Sequence, residues 1–211
     1  MNPDHAPVLH IRPAATLVLW RNGLAGPEVL MGQRGAQAAF MPSKYVFPGG
    51  AVDAGDEAMA SDISIDQTCF HRLQQNCPAD APSPMAIVGA AVRELWEETG
   101  LRLISKPAVN HDMRFVFRAI TPPGRSRRFD ARFLLADAAS LAGDPDDFSA
   151  ASDELSHLHW IGLDQTRKLD LPFITEVVLS EISHLLRGRK MTDGVPFFDN
   201  SGDVPTFRRL C

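Results

Sequence analysis

Apolar positions recur along this chain in two rhythms. From Ala14 to Arg21 the run is rich in β-formers, and a second such run from Glu28 to Arg34 follows the turn residues Asn22, Gly23, Gly26 and Pro27. These predict two paired strands. A short hydrophobic stretch, Tyr45 to Phe47, enters Pro48-Gly49-Gly50, where the backbone must turn tightly or pass close to a neighbour. Further strands are predicted at Leu101 to Ile104, Met113 to Ile120, Phe129 to Ala136 and His157 to Ile161.

The rhythm changes to helical spacing in two places. Ser83 is a good N-cap, Pro84 suits the first helical position, and Gly100 suits a left-handed end, which brackets a helix from Pro84 to Thr99. A second amphipathic helix runs from roughly Pro172 to Arg187. Between the glycine turn and the first helix, Glu57 to Pro82 is polar and irregular, with a short helix around Asp66 to Gln75. It reads as an insertion lying outside the core. The end, Thr192 to Cys211, reads as a turn-rich tail. No internal repeat or low-complexity tract is evident, and the mixture predicts an α/β fold with a sheet covered by helices on both faces.

Composition narrows the function classes. With 211 residues the chain suits one domain, 1–211, and its hydrophobic and charged fractions of 45% and 22% are those of a globular protein. A formal net charge of -5 argues against a nucleic-acid backbone as the main partner, while a small anionic substrate stays open. Cys69, Cys77 and Cys211 form no CxxC pair and suit neither a disulfide framework nor a structural zinc site. The longest apolar N-terminal run, Ala14 to Trp20, is too short to span a bilayer, and Arg-Leu-Cys at the end differs from the Ser-Lys-Leu peroxisomal address. A soluble, cytoplasmic protein without a membrane partner is expected, with a homodimer left open.

The first helix carries the candidate chemistry. Glu94, Glu97 and Glu98 share an arc of about 100°, beside an apolar stripe of Val88, Ala91, Val92 and Leu95. Arg93 stands one turn before Glu97 and can pair with it. Acidic helix faces are usually solvated. Here no lysine balances the acids, glycine ends the helix just after them, and the Gly-Gly turn lies upstream, so a hard cation such as Mg²⁺ is the better explanation.

"GGAVDAGD" followed by "RELWEETGL" resembles the Nudix box, G-x5-E-x7-R-E-U-x-E-E-x-G-U, where U is a bulky aliphatic. Gly50 matches its first glycine, and Arg93, Glu94, Leu95, Glu97, Glu98, Gly100 and Leu101 match its second half. Asp56 stands where the pattern has its first glutamate, and 36 residues separate it from Arg93 where the pattern has seven, an insertion of 29. Such an interrupted box is similar to that of the peroxisomal coenzyme A diphosphatases, which the chain also resembles in "LMGQRGAQAAFMPSKYVFPGG" and "TPPGRSRRFDARFLLAD". Arg34 matches the first arginine of that subgroup's motif, whereas Ala39 and Ser43 stand where it has arginine and glycine.

The resemblance implies a Nudix-type α/β/α sandwich with a mixed sheet, interrupted between glycine loop and box helix. It implies hydrolysis of the pyrophosphate bond in a nucleoside diphosphate linked to another group, with coenzyme A or an acyl-CoA as one substrate class. ADP-ribose, dinucleotides and nucleotide sugars are the alternatives, and a non-catalytic nucleotide sensor is the reading from another class. Mg²⁺ or Mn²⁺ would be held by Glu94, Glu97, Glu98 and the Gly50 carbonyl, with Arg93 orienting a glutamate. The general base is sought in the box or at Asp153 or Glu154, for which a helix cap or solvated turn is an equal explanation. Arg34, Gly49, Gly50 and Arg128 are the substrate-contact candidates. Arg125, Arg127 and Arg132 are read as solvated, His157 and His159 as packed or exposed, and Trp96 and Trp160 as buried.

Overall fold

A computed structural model describes residues 10–104, 113–188, 194–202 and 204–211. Chain order runs β1 (Ile11–Gly23), β2 (Gly26–Arg34), β3 (Tyr45–Val46), β4 (Gly49–Ala51), α1 (Asp56–Met59), α2 (Gln67–Gln74) and α3 (Pro84–Thr99). It continues with β5 (Arg102–Leu103), β6 (Arg114–Ile120), β7 (Arg128–Asp137), β8 (Leu141–Ala142), β9 (Leu155–Gly162), α4 (Phe173–Leu186), β10 (Val195–Asp199) and β11 (Thr206–Leu210).

The main sheet has the order β11-β10-β6-β7-β1-β2-β3, with β4 on β1 and β9 on β2. It is mixed, because β1 with β7 and β6 with β10 run parallel while the other pairs are antiparallel. One edge of β1 meets β7 along ten residues, and the opposite edge is divided. Trp20 to Gly23 pair with β2, whereas Ala14 to Thr16 pair with β4. That division brings the Gly-Gly turn onto the sheet near its centre.

Alternation along β1 sends side chains to opposite faces. Ala15, Leu17 and Leu19 join Ile87, Val88, Ala91 and Leu95 of α3 in one core, while Val18 joins Val178, Leu179 and Ile182 of α4 in the other. The result is the expected α/β/α sandwich. The caps read from sequence are present: Ser83 accepts the Ala86 amide at 3.1 Å, and Gly100 closes α3 with φ 76. Pro172 is the N-cap residue of α4.

Two expectations are corrected. The segment 57–82 does not stay outside the core: Ala60, Ile63, Cys69 and Leu73 are buried in the same cluster as α3. Its sequence hid this because its few apolar residues follow no long period, yet burying Ile63 and Leu73 stabilises the fold by roughly 1.5–3 kcal/mol each. The helix around Asp66 does form, with the Asp66 carboxylate capping the Cys69 amide at 2.6 Å. The region from 194 onward is no tail of turns either, since β10 and β11 extend the main sheet and bury Val195, Phe197 and Leu210. Among the described residues no helix is long and apolar enough to cross a membrane.

Candidate active site

Arg93 organises the acidic face of α3. Its Nε donates to Asp56 Oδ1 at 2.7 Å and its Nη2 to Asp56 Oδ2 at 3.2 Å, while Nη2 also reaches the Ala51 carbonyl at 2.9 Å. Nη1 donates to Glu94 at 2.8 Å and to Glu97 at 3.0 Å. One guanidinium thus ties α3 to β4 and to the start of α1, and Asp56 beside it drives its pKa upward. Asp56 is 3% exposed and also accepts the Asp53 amide at 2.7 Å. The shorter acid reaches Arg93 because α1 begins at that residue.

The glycine turn is needed by close approach. A Cβ on Gly49 would lie 2.6 Å from the Ala15 carbonyl oxygen, and one on Gly50 would lie 2.1 Å from Glu94 Oε1. The turn is therefore pressed between β1 and the acids of α3. Gly49 donates its N–H to Glu98 Oε2 at 2.8 Å.

Glu98 is 2% exposed, and its Oε1 is buried with no partner. Burial pushes its carboxyl up to about 8 against the opposing Gly49 N–H, and the charges of Glu94 and Glu154 add to the rise. Glu94 is also raised, by burial first, with Arg93 opposing and Glu97 and Glu154 contributing. Among the described residues no three His, Cys, Asp or Glu side chains already converge on one point as metal ligands, since Glu94 and Glu97 both face Arg93. The donor set nonetheless fits a hard divalent cation, because carboxylate oxygens are its preferred ligands and an unpartnered buried carboxylate oxygen calls for one.

A second acidic element approaches from β9. Pairing of Arg34 with Leu155 brings Glu154 beside the end of β2, and Arg34 Nη2 donates to Glu154 Oε1 at 2.9 Å. The preceding loop is held to α3 by the Ser152 amide on the Glu97 carbonyl at 3.3 Å. Glu154 acts electrostatically on both Glu94 and Glu98, and Arg34 acts on Glu98. Arg34 Nε is buried and unpartnered. Asp153 is exposed.

Several sequence candidates lie elsewhere. Arg128 is not brought into this cluster: it is buried and bonds the carbonyls of Thr121 at 3.0 Å and Asn200 at 2.6 Å, a structural role that corrects the substrate-contact expectation. Arg132 is fully buried, not solvated, because its position on β7 points it into the interior. His157 is exposed and His159 half-buried, as read from sequence. Trp96 and Trp160 are half-buried beneath Arg102 and Arg21, whose guanidinium carbons stand 3.9 and 4.4 Å from the ring centroids.

Sequence reasoning passed over Gly89 and Asp53. A Cβ on Gly89 would lie 1.7 Å from the Asp56 carbonyl oxygen, so this glycine lets α1 seat on α3. A glycine inside a helix costs about 1 kcal/mol relative to alanine, and that cost was the available signal. Asp53 supplies an amide to Asp56 and a carboxylate 4.0 Å from Arg93, neither marked by any motif.

A mixed sheet between two helical layers, with helix glutamates packed on a Gly-Gly turn, defines a Nudix fold. The family model described as NUDIX domain matches residues 78–180. It is 27% identical over 164 residues to nudix hydrolase 7 of Caenorhabditis elegans, covering 64% of this chain and 46% of that protein. The chain thus spans about half the length of that curated relative. A crystal structure of a NUDIX hydrolase from Alicyclobacillus acidocaldarius superposes with a TM-score of 0.59 at 27% identity, covering 82% of this chain and 91% of that one. A Caenorhabditis elegans Ap4A hydrolase, solved as a binary complex, shares the fold with a TM-score of 0.53 at 20% identity, covering 85% and 100%.

Proposed function

We propose that this domain hydrolyses the pyrophosphate bond of a nucleoside diphosphate linked to a second group, using Mg²⁺ or Mn²⁺ held by Glu94, Glu97, Glu98 and the Gly50 carbonyl. The observation that carries this reading is the buried, unpartnered Oε1 of Glu98 beside two further glutamates. Three carboxylates this close repel one another unless cations balance them, and Arg93 supplies one positive charge. A divalent cation supplies the rest, and when bound it neutralises phosphate oxygens and lowers the pKa of a coordinated water.

The chain's own groups divide the remaining work. Arg93 positions Glu94 and Glu97 through its anchors on Asp56 and Ala51. Gly49 and Gly50 let the turn seat between β1 and Glu94, and Arg34 lies at the strand end where an anionic group would dock. Glu154, held by Arg34, is the better placed of the two base candidates, because it faces Glu94 and Glu98. The base takes a proton from the attacking water as the new P–O bond forms, and the bridging P–O bond breaks with its electrons on the leaving phosphate.

Coenzyme A and acyl-CoA esters head the substrates to test, followed by ADP-ribose, dinucleoside polyphosphates and nucleotide sugars. The purified chain is incubated with each in Mg²⁺ or Mn²⁺ and products are read by mass, with ¹⁸O-water marking the attacked phosphorus. Cleavage of none of them would overturn the catalytic reading in favour of a nucleotide sensor. A cytoplasmic location is proposed on separate grounds, three cysteines that suit no disulfide framework, which imaging of a tagged chain tests, and sedimentation decides between monomer and homodimer.

A further inference from the structure

Away from the glutamates, a cavity of about 340 Å³ opens between α2 and the start of β6, lined by Asp66, Thr68, Cys69, Arg72, Arg114 and Phe115. The Phe115 amide donates to Cys69 Sγ at 3.2 Å, which fixes α2 to the strand. Phe115 lies opposite Leu134 of β7, Leu134 lies opposite Leu17 of β1, and Gly49 docks on the other edge of β1 at Thr16. Two strands therefore stand between this cavity and the glycine turn. It is no part of the site built on α3.

Two guanidiniums share the cavity, Arg72 half-buried and Arg114 exposed. Both act on the Cys69 sulfur as cations, so they stand within electrostatic reach of one atom. Among the described residues no carboxylate forms an ion pair with either of them. Arg72 Nε is buried without a hydrogen-bond partner. Asp66, the acid of the lining, turns Oδ1 to the Cys69 amide at 2.6 Å. In a chain of net charge -5, two neighbouring cations without an acid, one of them with a buried donor unmet, call for an anion.

We propose that this cavity binds a phosphomonoester, its phosphate held between Arg72 and Arg114. The planar fork of a guanidinium matches two phosphate oxygens at once. Thr68, in the first turn of α2, adds a hydroxyl donor, and the Asp66 carboxylate accepts a hydroxyl of the group that carries the phosphate. The volume is at the lower end of small-molecule sites, which suits a sugar phosphate better than a whole dinucleotide. No divalent cation is needed here, because the lining supplies the positive charge.

The test titrates glucose 6-phosphate, and in a second arm inorganic phosphate, into the full chain by calorimetry, at constant ionic strength and without divalent cation. Glucose 6-phosphate should bind at one site and more tightly than inorganic phosphate. Arg114→Gln, at an exposed position that leaves the fold intact, should weaken this binding roughly tenfold or more, and Arg72→Gln should do the same wherever its thermal melt shows a folded chain. Glu98→Gln should leave it as it is. Failure of both probes to bind, an unchanged Kd in Arg114→Gln, binding of inorganic phosphate alone, or loss of binding in Glu98→Gln would each overturn the proposal. No arm depends on turnover, so failure here leaves the proposed hydrolysis standing, and failure of that hydrolysis leaves this site standing.

Discussion

Arg93 and Asp56, 37 positions apart in the chain, meet in a two-pronged ion pair of 2.7 and 3.2 Å. The inserted segment lies between them, and their pairing restores across it the link between glycine turn and helix. Asp56 is 3% exposed, so removing its partner leaves a buried charge held by the Asp53 amide. Arg93→Met should therefore destabilise the fold by about 3 kcal/mol or more and lower turnover with it. Urea unfolding and activity on one preparation check both, and unchanged stability would show that the pair is incidental.

Glu97→Gln should separate the two properties. The Glu97 side chain is 52% exposed and its bond to Arg93 is an exposed one, so metal-free stability should change by no more than about 1 kcal/mol. Turnover on the best substrate should fall roughly 10²–10³-fold if Glu97 holds a catalytic cation. Near-normal turnover would remove Glu97 from the site.

Glu98 predicts how metal-free stability depends on pH. Its carboxyl is pushed up by burial to about 8 in the folded chain, against the ordinary glutamate value of 4.5 in the unfolded one. Between those values the folded state binds the extra proton, so its stability falls as pH rises through this window and levels off above it. A divalent cation at a hundred times its Kd should add about 2.7 kcal/mol, most effectively at the high end, where the carboxylate is ionised. Glu98→Gln should flatten the pH profile and abolish the cation's effect in thermal melts; a profile unchanged by the substitution contradicts the assignment.

Gly89→Ala tests whether α1 must seat on α3. The new Cβ would stand 1.7 Å from a backbone oxygen, where no side chain can swing aside, and a loss of roughly 1–3 kcal/mol is expected. Deleting 57–82 should prevent folding altogether, because Ile63, Cys69 and Leu73 are lost from the core. A stable, active deletion protein would return this segment to the status of a surface excursion.

Local chemistry made much of this protein legible from its residues alone. Ser83, Pro84 and Gly100 mark the ends of α3 because capping is decided within a few residues, and the 100° step of a helix places Glu94, Glu97 and Glu98 together without reference to the rest of the fold. The mixture of strand and helix segments likewise foretold a sheet covered on both faces. What lay beyond the sequence was set by contacts between distant segments. Arg128 looks like a substrate contact and Arg132 like a solvated arginine beside a loop until β7 carries them inward to Asn200, Asp130 and Cys77. The 57–82 segment looks polar because its core residues are sparse, and only the groove beside α3 gives them a place to bury. That Glu154, and not its neighbour Asp153, meets Arg34 depends on the register of β9 on β2, a long-range pairing that no local pattern encodes.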